Sequence, residues 1–196
     1  MLKNDRWICA QAEAGGMIAP FQRSLVRRSD AADHPVLSYG TSSYGYDLRL
    51  SPAEFLVFKH VPGLINDPKR FDRRCLEPAP LYRDGNDAYF ILPAHSYGLG
   101  VAVERLLMPP NVTAICLGKS TYARLGIICN VTPAEAGWSG HLTLEFSNSS
   151  GADCRIYANE GICQLLFYEG EPCDTTYQDR AGKYQHQPER VVVARI

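Results

Sequence analysis

The chain has 196 residues, of which 45% are hydrophobic and 21% charged, a composition that predicts one globular domain with a sizeable core. The formal net charge of −1 excludes a general attraction to nucleic acid or anionic membrane, so any anion site must be local. No apolar run reaches transmembrane length, and the polar start MLKNDRWICAQAEAGG lacks the apolar stretch of a signal peptide. We therefore expect a cytoplasmic protein that binds neither nucleic acid nor membrane.

The seven cysteines are odd in number, and no two of them are three positions apart. This spacing argues against a CxxC metal or redox site and predicts reduced thiols. Cys116, Cys129 and Cys163 lie in apolar segments and are interpreted as small core residues. The sequence thus predicts no metal held by protein side chains.

The N-terminal segment predicts a short helix that is capped by Asn4 or Asp5 and ends at Gly15-Gly16. Residues 17–36 contain Pro20 and polar clusters, which favour an irregular loop. From Val36 onward the pattern is mainly β, with short segments rich in β-branched and aromatic residues. These segments are YGYDLRL, EFLVFKHV, DAYFILPA, SYGLGVAVERL, NVTAICL, LGIICNV, HLTLEFS, CRIYAN and GICQLLFYEG.

Two further segments stand apart from this pattern. Residues 60–86 predict an excursion with a turn or short helix, and the polar residues 174–196 predict a tail that could fold over the rest. The expected architecture is a single domain over 1–196, mainly β, built as a compact barrel or distorted jelly roll with a short N-terminal helix.

The segment GKSTYARLGI, residues 118–127, ends like a phosphate-binding P-loop. A P-loop also needs a glycine five positions before Gly118, where this chain has Thr113, and a helix that starts at the lysine. The flanking segments NVTAICL and LGIICNV instead predict strands, which excludes a P-loop. The sequence still allows an anion site in this segment. We expect it on the connection between two strands and not at the N-terminus of a helix.

The segment HLTLEFS, residues 141–147, alternates strictly. Leu142, Leu144 and Phe146 belong to the core face, whereas Thr143 and Glu145 point the other way. A glutamate on a strand is more often on a solvated face. The Gly-rich turn EAGWSG before this strand favours a functional carboxylate, because such a turn lets backbone groups approach a planar ligand.

Taken together, six segments resemble the metal-independent dCTP deaminases of the dUTPase-like, β-clip fold. They are SYGTSSYGYDLRL, CLGKSTYARLGIICNVTP, EAGWSGHLTLEFSN, IYANEGICQLLFYE, YQDRAGKYQHQ and the opening DRWI with GMIAPF. The resemblance runs nearly from end to end of the chain.

The resemblance implies that Glu145 is the catalytic glutamate, which activates water, and that Ser120 and Arg124 assist it at the ring. It implies a substrate-binding set of Lys119, Ser120, Thr121, Tyr122, Ala123, Arg124, Glu135, Thr143, Leu144, Glu145, Gln164, Tyr177, Lys183 and Gln187. Of these, Gln164, Tyr177, Lys183 and Gln187 would close over the phosphates and the ring, with 174–196 as a lid. It also implies a homotrimer with sites between subunits, Mg²⁺ carried by the triphosphate, and dTTP as a possible feedback inhibitor.

The residue types are consistent with such chemistry. Zinc deaminases obtain hydroxide from a metal held by H-x-E and P-C-x-x-C motifs, and this chain has neither. Without a metal, one carboxylate would have to take the proton from water and deliver protons to the ring nitrogen and to the departing ammonia.

The chain departs from the family pattern at four places, one of which, the lack of prolines in SNSSGADCRIY, concerns only a loop. Glu135 stands where an aspartate often reads the sugar 3′-hydroxyl, so it is either that contact or a surface carboxylate. His186 replaces a glycine or small polar residue, which could alter tail closure. His141, on the face of Glu145, could perturb its pKa or simply be solvated.

The leading function is hydrolytic deamination of dCTP to dUTP and ammonia, which supplies thymidylate synthesis. A dUTPase is disfavoured because Gly137-Trp138 replaces its tyrosine and aspartate. A bifunctional enzyme that releases dUMP and diphosphate, and a non-catalytic nucleotide-binding regulator, remain the alternatives.

Overall fold

A computed structural model describes residues 1–29 and 33–196. The chain opens with helix α1 (Asp5–Gly15), whose N-cap Asn4 accepts a hydrogen bond from the backbone N–H of Trp7 (3.2 Å). Gly16 ends the helix in the left-handed conformation (φ 64°) that glycine adopts without steric cost. Ile8, Cys9 and Ala12 form its buried side. The predicted helix and both of its caps are confirmed.

The described residues contain thirteen strands, a 3-10 turn at Arg73–Cys75 and a one-turn helix α2 at Ser120–Ala123. The strands are β1 Ile18–Ala19, β2 Val26–Ser29, β3 His34–Ser42, β4 Gly45–Phe58, β5 Leu76–Pro78, β6 Tyr82–Asp84, β7 Asp87–Leu92, β8 Tyr97–Leu107, β9 Val112–Gly118, β10 Ile127–Asn130, β11 Ser139–Asn148, β12 Cys154–Tyr157 and β13 Gly161–Glu169.

Most strands belong to one curled sheet, in which neighbours follow the order β10-β11-β8-β4-β13-β9. The long strand β4 allows the curl, because its first half pairs with β3 and β13 and its second half with β8 and β5. Strands β12, β7 and β6 form a separate small sheet. The mainly β fold predicted from the sequence is confirmed.

The core lies inside the curl and is dominated by aromatic rings. Phe55 packs against Phe90 and Phe146 with ring centroids 5.1 and 5.3 Å apart, and all three rings are buried. Such pairs add to the stabilisation from buried apolar area. All seven cysteines are free thiols and six of them are buried. Cys116, Cys129 and Cys163 lie in the core, as expected from their apolar segments.

Two local predictions are wrong. Residues 17–36 are not an irregular loop, since β1, β2 and the start of β3 lie there, while residues 30–32 are outside the described part. These strands form because distant partners supply their hydrogen bonds, as where Ile18 pairs with Leu106. The connection after Gly118 carries the one-turn helix α2, with Lys119 at its N-cap position, where no helix was expected.

The excursion predicted at 60–86 is confirmed, since it carries turns, the 3-10 turn and two short strands. None of the helices in the described ranges has the length and apolar character that crossing a lipid bilayer requires.

Candidate active site

A cavity of about 650 Å³ opens beside strand β11, between the sheet and the C-terminal tail (residues 174–196). Six of the predicted site residues line it: Glu135, Thr143, Glu145, Tyr177, Lys183 and Gln187. Trp138 and Tyr184 add aromatic surface to its wall. A cavity of this size with few polar groups on an aromatic wall is typical of a small-molecule site.

Glu145 is half-buried on β11, with its neighbours Leu144 and Phe146 turned into the core. Burial raises the pKa of the Glu145 carboxyl above its ordinary value, and a hydrogen bond from Asn130 partly opposes that rise. His141 is turned toward β8, where its Nδ1 lies 3.1 Å from the carbonyl oxygen of Ala102. A carboxyl whose pKa is raised in this way holds a proton more readily than an exposed glutamate does, which suits a group that accepts and returns protons.

The tail lies directly over β11. The Gln187 carbonyl accepts from the His141 N–H (3.0 Å), and the Thr143 hydroxyl donates to the Gln187 Oε1 (2.9 Å). Further along, the Val192 N–H donates to the same Thr143 hydroxyl (3.2 Å). The tail thus forms one wall of the cavity within the same chain.

The turn before β11 is also held by the tail. The Trp138 indole N–H donates to the Tyr184 carbonyl (2.8 Å), and Glu135 forms an ion pair with Arg180. Glu135 lines the rim of the cavity as an exposed surface carboxylate that is paired with Arg180. Arg180 was not among the residues singled out from the sequence.

Lys119 and Gln164, predicted to bind phosphate, meet at a different place. Lys119 Nζ lies 2.5 Å from Asp47 Oδ2, and Gln164 Nε2 donates to Asp47 Oδ1 (2.8 Å) and to Ser42 Oγ (3.0 Å). Asp47 is 5% exposed, so this ion pair is largely removed from water. The network ties β4 and β13 to the connection that precedes α2.

Ser120 and Arg124 do not line the cavity. Asn130, at the end of β10, pairs with Glu145, whereas Ile127, at its start, pairs with Asn148. Because α2 precedes that start, it lies about 10 Å from Glu145 along the strand direction. The exposed Arg124 instead donates to the Ser120 carbonyl (3.3 Å). One chain alone therefore does not bring these side chains to the carboxyl.

The remaining predicted site residues lie either in the core or on the exposed side of α2. Leu144 is fully buried, and the buried Tyr122 accepts a hydrogen bond from the Tyr157 N–H (2.9 Å). Thr121 and Ala123 are exposed on α2. Within residues 1–29 and 33–196, no group of three or more His, Cys, Asp or Glu side chains is placed to hold a metal ion.

The class that the structure defines is a mainly β fold built on one curled sheet, with a half-buried carboxyl beside its cavity. The fold is shared with 2′-deoxycytidine 5′-triphosphate deaminase from Agrobacterium tumefaciens, at a TM-score of 0.55 and 20% identity. That similarity covers 86% of this chain and 48% of the other, so this chain spans about half of its length.

The chain belongs to the dCTP deaminase-like family, whose model matches residues 4–170. It is 49% identical over 189 residues to dCTP deaminase of Psychrobacter cryohalolentis and 50% identical over 187 residues to that of Alcanivorax borkumensis. In both cases the match covers 95% of each chain. The resemblance noted from the six sequence segments is confirmed.

Proposed function

We propose that this protein is a dCTP deaminase, an enzyme that converts dCTP and water to dUTP and ammonia. The observation that carries the proposal is Glu145, a half-buried carboxyl of raised pKa at the wall of a cavity, in a chain of this family. The relatives that are about half identical over 95% of the chain support the same activity.

The reaction replaces the exocyclic amine of cytosine by oxygen. Ionised Glu145 takes a proton from water while the oxygen attacks C4, and the proton passes to ring N3. The tetrahedral intermediate then loses its C4–N bond, and the hydroxyl proton goes to the departing amine, which leaves as ammonia. Positioned proton transfer of this kind contributes typically about 10²–10⁴-fold.

The cavity offers groups for each part of the nucleotide. Thr143 and the backbone of β11 would face the base, Trp138 and Tyr177 would offer apolar surface to the sugar, and Lys183 would supply positive charge for the phosphates; all four side chains line the cavity. Mg²⁺ would arrive with the triphosphate as part of the substrate. The product dUTP would supply dTTP synthesis, and dTTP, with the same triphosphate, would compete for this cavity as a feedback inhibitor.

The active unit in this proposal is a homotrimer whose sites lie between subunits. The separation of Ser120 and Arg124 from Glu145 supports this arrangement, because a second copy can supply what one chain does not. Exposed Ile115, Leu117 and Ile128 on β9 and β10, with Leu125 after α2, offer an apolar surface for a second copy. Free cysteines further support a cytoplasmic enzyme.

The test is ammonia release from dCTP, CTP, dCMP and dUTP, with the products separated by chromatography. We expect ammonia and dUTP from dCTP alone. Glu145→Gln keeps the shape of the side chain but cannot accept the proton, so it should bind dCTP and lose turnover by at least about 100-fold. Arg124→Ala should weaken both binding and rate.

Three outcomes of this experiment would count against the proposal. Near-normal turnover by the Glu145→Gln variant would remove Glu145 from the mechanism. dUMP as the first product would indicate a bifunctional enzyme, and nucleotide binding without ammonia release would indicate a regulator.

A further inference from the structure

Glu145 has one side-chain hydrogen-bond partner among the described residues, Asn130. The Asn130 Nδ2 donates to Glu145 Oε2 at 3.4 Å, and the two residues occupy paired positions of β10 and β11. On its other flank Glu145 is paired with Leu99 of β8, whose apolar side chain offers no hydrogen bond to the carboxyl. The carboxyl is thus held from one side only.

We propose that Asn130 is a positioning residue that fixes the orientation of the Glu145 carboxyl for the attack of water on the base. The inference rests on the proposed deaminase function and deepens it. It assigns to β10 a part in catalysis that the sequence pattern did not indicate.

An asparagine suits this task because its amide is both a donor and an acceptor. It can donate to the ionised carboxylate that accepts the proton from water, and it can accept from the protonated carboxyl that forms afterwards. A length of 3.4 Å is long for a hydrogen bond, and such bonds in sites without substrate often tighten when the substrate binds.

Other titratable groups in the described ranges lie near Glu145, but none of them forms a hydrogen bond that would position its carboxyl. Tyr97 on β8 and Cys116 on β9 lie near it, and burial raises the pKa of the Tyr97 hydroxyl. A neighbouring thiol and burial raise the pKa of the Cys116 thiol. Both therefore stay neutral at neutral pH. Lys183 and Glu135 line the same cavity but form no hydrogen bond with Glu145.

The position also allows a clean experiment, because the Asn130 side chain is exposed and its replacement leaves no cavity in the core. Asn130→Ala removes the donor, and Asn130→Asp puts a second carboxylate beside the first. Ser147→Ala is the matched control, since Ser147 lies on the same face of β11, two residues from Glu145.

The first readout needs no substrate. The Glu145 carboxyl is titrated by ¹³C NMR in glutamate-labelled protein, with Glu145→Gln to assign its signal. Because the amide stabilises the ionised form, its removal should raise the pKa of this carboxyl, and Asn130→Asp should raise it further. Ser147→Ala should leave the titration unchanged.

The second readout is deamination of dCTP. For Asn130→Ala we expect kcat to fall about tenfold with KM within about twofold of the wild-type value, and the acid limb of kcat/KM to move to higher pH. An unchanged titration of Glu145 in the Asn130→Ala variant overturns the inference, whether or not kcat falls. Absence of ammonia release by the wild-type protein would contradict the proposed function instead, and the titration would still decide the role of Asn130.

Discussion

At the scale of single residues, His186 shows how this chain fills a position that suits glycine. Its backbone lies in the left-handed region (φ 58°), and its Nδ1 lies 2.8 Å from the hydroxyl of the buried Ser139. The left-handed conformation costs a residue with a Cβ about 1–2 kcal/mol. The side-chain hydrogen bond offsets this cost, because it gives Ser139 a partner.

We therefore expect His186→Ala and His186→Gly to differ. Alanine keeps the strained backbone but loses the hydrogen bond to Ser139. The tail should therefore leave the sheet more often, and trypsin should cleave it about tenfold faster than in the wild type. Glycine also loses this hydrogen bond, but it adopts the left-handed conformation without strain. The tail of the His186→Gly variant should therefore be cleaved at a rate close to that of the wild type. Limited proteolysis measures these rates when cleavage after Arg180 and Lys183 is monitored over time. Equal cleavage rates for the two variants would show that the backbone strain at His186 and its hydrogen bond do not offset each other.

The face of a strand on which a residue lies was predictable from local alternation. The sequence placed Glu145 opposite Leu144 and Phe146, and the structure has it there, because a strand turns every second side chain to the same face. Asn130 and Arg180 were missed because their partners, Glu145 and Glu135, are 15 and 45 positions away in the chain. Only the strand register and the path of the tail bring these pairs together, and neither is encoded in a short sequence window.

At the scale of elements, the end of the tail acts as an anchor. Val191 is buried against Leu56 and Leu99, Val193 packs on the same cluster, and the Val191 N–H donates to Glu54 (2.6 Å). Two residues of the same stretch, Val192 and Ala194, line the cavity. An apolar contact outside the cavity thus holds this part of the tail in place over it.

The Val191→Asp substitution should release this anchor. It places a carboxylate in an apolar cluster and beside Glu54, so the closed tail should be disfavoured by at least about 1.5 kcal/mol. We expect KM for dCTP to rise about tenfold while kcat changes less, measured by ammonia release. Arg190→Ala, at the exposed neighbouring position, is the control, and a wild-type KM for Val191→Asp would show that the anchor is not needed.

Element prediction was reliable for long periodic segments and poor for short ones. β8, β11 and β13 follow from their own β-branched and aromatic residues. β1 and β2 have only two and four residues, and their hydrogen bonds come from β8 and β3. α2 forms because Tyr122 is drawn into the core, which a propensity scale does not include.

At the scale of the whole molecule, a shared site predicts complementation between two inactive variants. Glu145→Gln and Arg124→Ala should each lose most of their activity alone. If Glu145 of one subunit acts with Arg124 of the next, a mixed trimer brings an intact copy of each residue together. After mixed refolding, about a quarter of the sites in randomly assembled trimers would combine both intact residues. We expect about that fraction of wild-type ammonia release.

Refolding each variant by itself controls for residual activity, and size-exclusion chromatography with light scattering gives the mass of the assembly. If the mixture stays as inactive as its components, the two residues do not meet across a subunit boundary.

The contact between the Trp138 indole and the Tyr184 carbonyl gives the molecule an intrinsic optical reporter. Of the two tryptophans, Trp7 belongs to the N-terminal helix, so emission changes on nucleotide addition would come from Trp138. Release of its indole N–H to water alters the polarity around the ring. Opening and closing of the cavity could then be timed by stopped-flow fluorescence, without attaching a dye.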